Sequence, residues 1–391
     1  MQANGNKKKI LRIRQLLSGK IFCRGVKFSW LKFFVLLLGA AGCLGVLVIS
    51  RGNEAERYYF IRQLCWYLIS GIVLIVVSTA DIELTERNAF VFYVCGLLVL
   101  LLVLLCGVRI NGMKGWFRIY SIGFQPGELL KPVFILVFAR FLCTEKLSPG
   151  RFQGLLFSFL LLGLWLILIL LQPDAGTALI YCLTFLSLIW VAGVKTGHLL
   201  LTGVSFVPVA SMLLWRYPYM RRRLEAFFSS APEMLQATGW HASVMAKSLQ
   251  NGGWFGKLFN PDPTLTRVPY RSNDSIFAVL SEQLGFVGML PLILLVFCWL
   301  AFCCIRAYRS HSSYHQLLYV GCGVMLSGQA MLHLAVNLGI FPTTGVTFPL
   351  ISYGGSSLLA TMIIAGMVDQ ISLKEMNAFL TTKRHEKELN F

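Results

Sequence analysis

Charged side chains are scarce in this sequence. Asp, Glu, Lys and Arg together make up 13% of its 391 residues, whereas a soluble globular domain has about 25%. Hydrophobic residues account for 56%. Because a soluble fold needs a more polar surface, this balance argues against a soluble enzyme and predicts an integral membrane protein.

Several signatures of known chemistry are also missing. The chain has no GxxxxGK[ST] phosphate-binding loop, which argues against an ATP-driven pump. Its six histidines lack a metal-ligating spacing, and no serine or cysteine nucleophile motif occurs. We therefore predict no metal site and no certain cofactor. A divalent cation, Mg²⁺ or Mn²⁺, stays an open alternative.

The apolar residues form about ten runs, most of them near the length of a membrane-spanning helix. The runs lie near 30–50, 60–80, 89–109, 128–143, 154–171, 177–194, 198–215, 276–304, 315–338 and 350–370. They predict an all-α, polytopic membrane protein with about ten transmembrane helices. The predicted divisions are a basic N-terminal tail at 1–27, a multi-span domain at 28–371 and a C-terminal tail at 372–391.

Positive charge lies mainly in loops and tails. The net charge is +18, and because it is not gathered on one soluble face, a nucleic-acid partner is not expected. With ten spans, the positive-inside rule predicts that both termini are cytoplasmic. Residues 217–273 then form a large extracytoplasmic loop. That loop is itself cationic, and an anionic substrate at the outer surface would explain its charge.

Three outward-facing corners combine proline, glycine and polar residues at membrane depth. They are "NGMKGWFRIYSIGFQPGELLK", "LQPDAGTAL" and "NLGIFPTTGVTFPLISYGGSS". Irregular backbone at that depth is tolerated where protein buries it or a cavity hydrates it. In the third corner Gly354 and Gly355 would allow a tight turn beside a cavity, with Ser352 and Ser356 binding freed backbone groups. A plain helix N-terminus with serine caps is the alternative.

Acidic residues near apolar runs are functional candidates because they are so few. Glu128 and Lys131 follow Pro126, which suits the start of a helix, and share one helix face. They are either a local ion pair or a polar wall of an outward-facing cavity. Asp174, after Pro173, is either a helix N-cap or part of the same wall.

Asp274 is the sharpest candidate for chemistry. It lies between the cationic loop and a long apolar run, where it could either cap the helix or accept a proton from a lipid-anchored substrate. Glu282 lies two turns further along roughly the same face, and would line the cavity or pair with a helix neighbour. Arg62 enters the second run from outside, where it would bind substrate or snorkel to the interface.

Together these corners resemble the SEDS family of bacterial membrane proteins, which includes RodA, FtsW and SpoVE. "FPLISYGGSS", with Pro349 and Tyr353, is similar to the family's C-terminal signature nearly letter for letter. "FQPGELLK" resembles its QPSE-x-x-K segment, and "LQPDAGTAL" its QPD-x-GTAL segment. "GGWFGK", which includes Lys257, and "NDSIFAVLSEQLGF" resemble its GGLFGKG and HTDFIFAV-x-x-EELGF pair.

The chain departs from the family pattern at two places. Gly115 stands where the family usually has an arginine, so Lys114 or Arg118 is left as a candidate cation at that site. The usual His-Thr before the aspartate is Ser272-Asn273, and the usual Phe after it is Ser275. The aspartate itself is retained.

The resemblance implies a peptidoglycan glycosyltransferase of the bacterial inner membrane that polymerises lipid II. It implies Asp274 as the catalytic base and undecaprenyl pyrophosphate-linked glycan as the other substrate. The predicted substrate-binding residues are Arg62, Glu128, Lys131, Asp174, Lys257 and Glu282. The implied partners are a class B penicillin-binding protein and other elongation or division proteins.

Other functions stay open on the sequence. A lipid II flippase needs a polar path through the membrane, whereas the acidic candidates here cluster at the outer boundary. A scaffold that only recruits partner proteins would not need a carboxylate at Asp274. Within the family, "QPDAGTAL" favours a RodA-like role in cell elongation, and "PTTGVTFPLISYGGSS" favours an FtsW-like role in division. We take the RodA-like role as the main expectation and the FtsW-like role as its alternative.

Overall fold

The structure is a computed structural model. It describes residues 21–23, 26–28, 30–49, 54–80, 82–110, 112–120, 122–144, 152–195, 197, 211, 215–228, 240–257 and 268–389. The helices are α1 Trp30–Ile49, α2 Glu54–Thr79, α3 Ile82–Arg87, α4 Ala89–Cys106, α5 Pro126–Leu129, α6 Lys131–Cys143, α7 Phe152–Leu170, α8 Ala175–Val191, α9 Pro218–Phe228, α10 Trp240–Gly252, α11 Ile276–Arg309, α12 Ser313–Asn337 and α13 Gly355–Leu389.

The predicted polytopic helical architecture is confirmed. Within the described ranges six helices are long and apolar enough to cross a membrane, namely α2, α4, α7, α11, α12 and α13. Shorter apolar helical stretches occur at Leu37–Leu47 and Ala175–Val191, and the predicted fourth run contains the 13-residue α6. The run near 198–215 lies almost wholly outside the described residues, so the count of ten stays a prediction.

A small β-sheet modifies the all-α expectation. Strands β1 (Ile21–Cys23) and β2 (Val26–Phe28) pair near the N-terminus. Strands β3 (Val108–Ile110), β4 (Met113–Ile119) and β5 (Ile122–Phe124) form an antiparallel sheet before α5. Side chains alternate along a strand, so Met113, Phe117 and Ile119 share one face of β4, and Lys114, Trp116 and Arg118 share the other. The first corner is therefore a paired sheet rather than irregular backbone.

Helix α6 lies in the interior of the bundle, against α4, α8 and α12. Its residues Phe134, Ile135, Val137 and Phe138 are fully buried. A helix that is apolar on all sides is stable only when other helices surround it, and here aromatic rings from α7 and α8 pack on it. The corner that precedes α6 is thereby fixed to the centre of the molecule.

In its described parts, 217–228, 240–257 and 268–273, the segment predicted as an outer loop contains two helices, α9 and α10. Helix α10 docks along the first turns of α11, where the Glu282 carboxylate accepts hydrogen bonds from Ser248 Oγ at 2.6 Å and Asn251 Nδ2 at 3.2 Å. Glu282 is buried, so its charge is compensated by these donors rather than by water. This arrangement ties the loop to the membrane helix that begins after Asp274.

Helix α11 is broken at Gly285, where φ is 67° and ψ is 180°. Glycine adopts this left-handed φ without steric cost, and the break frees main-chain N–H groups that would otherwise bond within the helix. The Phe286 and Val287 N–H groups donate instead to the carbonyl oxygens of Gly253 and Trp254, at 2.9 and 3.1 Å. The "GGWFGK" loop thus completes the broken helix.

Candidate active site

Three of the predicted corners meet at one place. The main-chain N–H of Gln125, before α5, donates to Ser356 Oγ at the start of α13 at 3.0 Å. The Gln125 side-chain amide donates to Asp174 Oδ2 at 2.9 Å. One glutamine therefore joins the "QPGE", "QPDAGT" and "YGGSS" segments, with Pro126 at the first position of α5. Gln125 was not among the site residues predicted from the sequence.

Asp174 is the N-cap of α8. Its Oδ1 accepts from the Thr177 N–H at 3.0 Å, so the capping interpretation is correct. Burial raises the pKa of Asp174, the Thr177 hydrogen bonds oppose that shift, and the Glu128 charge adds to it. The carboxyl group is thus both a structural cap and a charged neighbour of the other corner residues.

Asp274 lies in a tight turn that the third corner holds in place. The main-chain oxygen of Asp274 accepts from Asn337 Nδ2 at 3.0 Å. The Ser352 hydroxyl donates to the Asn273 oxygen at 2.8 Å, and the Tyr353 N–H donates to the Ser272 oxygen at 2.7 Å. The "FPLISYGGSS" segment therefore acts as a support for the turn that carries the predicted base.

The Asp274 carboxyl group has an unusual electrostatic setting. Burial raises its pKa to about 6, the Arg223 guanidinium opposes the rise, and the Asp174 carboxylate adds to it. A carboxyl group with a pKa near 6 is still ionised at neutral pH and is a stronger proton acceptor than an ordinary aspartate. The group is therefore suited to general-base chemistry.

Arg223 is a site residue that the sequence analysis did not separate from its neighbours. Its guanidinium Nη1 donates to the Thr343 oxygen at 2.7 Å, and burial lowers the pKa of Arg223 while Asp274 opposes that shift. Arg221 and Arg222 on the same helix are exposed, and Arg221 pairs with Glu225 at 3.2 Å. The three arginines of "RRR" are equivalent on sequence, and only the docking of α9 shows that Arg223 is the one near Asp274.

Glu128 and Lys131 form a buried ion pair. Lys131 Nζ lies 2.5 Å from Glu128 Oε1 and donates to Gln329 Oε1 at 2.6 Å, and the two residues are 5% and 1% exposed. Gln329 in turn donates to the oxygen and Oγ1 of Thr347 at 3.0 Å. The expected polar wall of an outward-facing cavity is therefore wrong for this pair, because the bundle encloses it. Its role in substrate binding stays a prediction.

The glycines of the third corner differ from each other. A Cβ on Gly355 would lie 2.3 Å from the Trp66 ring, whereas one on Gly354 would meet only Thr347 and Ser357 at 3.7 Å or more. Neither Gly354 nor Gly355 has a positive φ, whereas Gly339 at 70° and Leu350 at 64°, earlier in the same corner, are left-handed. The prediction that a glycine here lacks room for a Cβ is therefore correct at Gly355, but neither glycine has the positive φ of a tight turn.

The remaining predicted residues lie at the edges of this group. Arg62 stacks on the Tyr58 ring at 5.2 Å, near the outer end of α2. Lys257 donates its main-chain N–H to the Glu282 oxygen at 3.0 Å, beside the α11 break. The Glu282 carboxylate accepts hydrogen bonds from Ser248 and Asn251 of α10, which gives it a role in docking that helix.

Neither cation proposed to replace the family arginine at Gly115 lies beside Asp274 in this network. Lys114 Nζ donates to the Leu105 oxygen at 3.0 Å, and Arg118 Nε donates to the Tyr120 oxygen at 3.2 Å, both in exposed positions. The cation that does interact with Asp274 is Arg223, which comes from the loop.

The donor set does not form a metal site by itself. In the ranges that the structure describes, no three residues among His, Cys, Asp and Glu are grouped so that they could hold a metal ion. Asp174 and Asp274 would supply at most two carboxylates. No step of the chemistry below is therefore assigned to a metal ion.

A cavity of about 40 Å³ lies under the third corner, between α1, α11, α12 and α13. It is lined by apolar side chains that include Trp299, Phe348 and Pro349. Ligand pockets have volumes of about 300–1,000 Å³, so this cavity is too small to serve as a binding site for a lipid chain.

Comparison with known proteins decides the family. A family described as "Cell cycle protein", comprising FtsW, RodA and SpoVE, matches residues 28–377. The chain belongs to this FtsW/RodA/SpoVE family. A probable peptidoglycan glycosyltransferase FtsW from Coxiella burnetii is 32% identical over 362 residues, which cover 89% of this chain and 97% of the relative. An FtsW of the same description from Alcanivorax borkumensis is 29% identical over 346 residues, 85% of this chain and 90% of that protein.

Solved structures of the FtsW/RodA/SpoVE family share this fold. RodA of Thermus thermophilus superposes with a TM-score of 0.67 and 27% identity, over 90% of this chain and 98% of RodA. A chain from a peptidoglycan synthase complex that coordinates polymerisation and crosslinking gives a TM-score of 0.75 and 29% identity, over 88% and 96% of the two chains. The curated relatives carry the name FtsW, so the main expectation of a RodA-like role is not supported.

Proposed function

We propose that this chain is a peptidoglycan glycosyltransferase that polymerises lipid II at the outer boundary of the bacterial inner membrane. The observation that carries the proposal is the Asp274 carboxyl group, with a pKa raised to about 6, beside the guanidinium of Arg223. The relatives named probable peptidoglycan glycosyltransferases support it. Both termini are proposed to be cytoplasmic, with 217–273 outside.

In the proposed reaction Asp274 is the general base. It removes the proton from the 4-hydroxyl group of one lipid-linked sugar as that oxygen attacks the anomeric carbon of another. The new O4–C1 bond forms while the bond from C1 to the pyrophosphate oxygen breaks, and the electron pair leaves with undecaprenyl pyrophosphate. Attack opposite the leaving group inverts the anomeric centre. Because pyrophosphate is a good leaving group, one carboxylate suffices, in contrast to the pair used by glycosidases.

Arg223 is proposed to hold the pyrophosphate group. A guanidinium carries several donors in a planar fork that matches phosphate oxygens, and partial burial strengthens its electrostatic effect. Its hydrogen bond to the Thr343 oxygen fixes the fork next to Asp274. Arg62 and Lys257 lie at the edges of the site and are proposed as outer contacts of the anionic substrate. Asp174 is proposed to orient the Gln125 side chain beside that substrate.

The finer assignment favours division. The FtsW names of the curated relatives support an FtsW-type role, which was the alternative on sequence. The similarity to a chain of a synthase complex that couples polymerisation with crosslinking supports a class B penicillin-binding protein as the partner. Other division proteins are proposed to assemble with that pair.

The test is polymerisation of purified lipid II by the purified chain, with and without a class B penicillin-binding protein. Glycan strands should form with the parent chain, and Asp274→Asn should form none while it is extracted in equal folded amount. Lipid II translocation in vesicles without polymer would support a flippase instead. Absence of both activities, with the partner present, would leave a scaffold.

A further inference from the structure

An imidazole from the outer loop reaches the turn that carries Asp274. His241 lies at the start of α10, and its Nε2 is 2.7 Å from the hydroxyl oxygen of Ser275. Ser275 follows Asp274 directly and is the N-cap residue of α11. The same hydroxyl group donates to the Pro269 oxygen at 2.9 Å. Ser275 therefore joins α10 to both ends of the turn 269–275.

The hydrogens in this group determine the tautomer of His241. A serine hydroxyl has one hydrogen, and a carbonyl oxygen has none to give. With the Ser275 hydrogen donated to Pro269, we assign the hydrogen between His241 and Ser275 to Nε2. Burial lowers the pKa of His241, the charge of Arg223 on α9 lowers it further, and a hydrogen bond with the Pro269 main chain opposes both, so the ring is neutral at pH 7. The Tyr270 ring packs on it, with centroids 6.1 Å apart.

The pair coincides with the place where the chain departs from its family pattern. In the pattern that the sequence resembles, Phe follows the aspartate, and a phenyl ring offers an imidazole no lone pair for a conventional hydrogen bond. The chain has Ser275 there, and its hydroxyl group can make this bond.

We propose that His241 is a positioning residue, which as the Nε2–H tautomer holds Ser275 and thereby fixes the Asp274 carboxyl group against the docked helix α10. The proposal rests on the proposed function of Asp274. Asn337 and Ser352 hold the turn from the membrane side, and His241 holds it from the loop side. Since Nε2 carries a hydrogen in both the neutral and charged imidazole, the contact survives protonation of His241.

The experiment measures kcat, KM and pH dependence of lipid II polymerisation for a set of purified variants. The set is His241→Ala, His241→Gln, Ser275→Ala, the double variant His241→Ala/Ser275→Ala, and the exposed control His311→Gln. A misplaced base lowers kcat by about tenfold to a hundredfold with little change in KM, and this is expected for His241→Ala and Ser275→Ala. His241→Gln, whose amide can donate to Ser275, should recover to within about threefold of the parent.

Two results would support the proposal further. The double variant should lose no more activity than Ser275→Ala, because Ser275→Ala already removes the contact with His241 as well as the hydrogen bond to Pro269. The acid limb of the rate profile should remain in His241→Gln, since it belongs to Asp274. His311→Gln should match the parent.

Other results would overturn it. Additive losses, or a His241→Gln variant as weak as His241→Ala, would show that the contact does not position the base. Loss of the acid limb in an active His241→Gln variant would make His241 the titrating base. If His241→Ala is not recovered folded, the kcat and KM values of Ser275→Ala and His241→Gln are sufficient to test the proposal. Polymer from Asp274→Asn would instead refute the proposed function, whatever the His241 variants do.

Discussion

The guanidinium of Arg223 is bound to the main-chain oxygen of Thr343 at 2.7 Å, and this contact holds a cation of the segment 217–273 beside Asp274. Two helices of that segment therefore contribute to the proposed site: α9 supplies Arg223, and α10 supplies His241. A segment that looked like a cationic connector on the sequence becomes one wall of the proposed active site.

The first prediction concerns Asp274 and pH. Polymerisation should fall about tenfold per pH unit below about pH 6, because the carboxylate becomes protonated and can no longer accept a proton. Because the pKa of Asp274 is raised from 3.8 to about 6 in the folded state, stability falls as pH rises between these two values, and the full penalty is present at pH 7. Asp274→Asn should therefore be inactive yet at least as stable at pH 7 in thermal unfolding. A less stable, inactive variant would contradict this account.

The second prediction separates Arg223 from its neighbour Arg222. Arg223→Gln should lower kcat/KM by about tenfold to a hundredfold, because it removes a fixed donor to the pyrophosphate. Arg222→Gln removes the same charge from an exposed position of α9 and should change the rate less than about twofold. Equal losses in the two variants would show that only the net charge of the loop matters.

The third prediction uses the acid limb of the pH–rate profile, where activity falls as Asp274 is protonated, to test which charges lie near Asp274. Arg223 lowers the pKa of Asp274 and Asp174 raises it, so Arg223→Gln should move the limb to higher pH and Asp174→Asn to lower pH. Arg223→Lys keeps the charge and should leave the limb in place. A limb that stays fixed in both neutral variants would mean that these side chains are not electrostatic neighbours of the base.

The fourth prediction concerns the buried pair Glu128 and Lys131. Either single alanine variant leaves an uncompensated buried charge, which costs about 3–5 kcal/mol and should lower the yield of folded protein. Glu128→Gln/Lys131→Met removes both charges and should recover most of the stability in thermal unfolding. If the double variant folds but makes no polymer, the pair also binds substrate. If it folds and polymerises, the pair is structural.

The fifth prediction distinguishes Gly355 from Gly354. Gly355→Val should lose activity and folded yield, because its side chain would overlap the Trp66 ring. Gly354→Val has room for its Cβ and should keep most activity. The measurements are lipid II polymerisation and the amount of monodisperse extracted protein. Equal tolerance at both positions would return the segment to a simply capped helix.

Much of this arrangement follows from local sequence. Uninterrupted apolar runs have to become helices, because the bilayer offers the backbone no other hydrogen-bond partners. Two local signals predict helix starts. Pro126, before Glu128, marks the start of α5, and Asp174, three residues before Thr177, caps the start of α8. Local signals also mark Asp274 as a boundary residue. The sheet at Met113–Ile119 was missed because its alternation lay inside a corner rich in glycine.

Long-range contacts decided the rest. Glu282 looks like a cavity residue on its helix, but the docking of α10 buries it against Ser248, and no helical period shows that. The enclosure of Lys131 beside Gln329 depends on packing between residues that are 198 positions apart in the sequence. Arg223 and His241 carry no signal in the letters around them. The sequence alone determines which segments are apolar enough to cross the membrane and which acidic residues stand out near them. Both depend on how each side chain partitions between lipid and water. The partners of a buried charge depend on tertiary packing, because they come from distant segments.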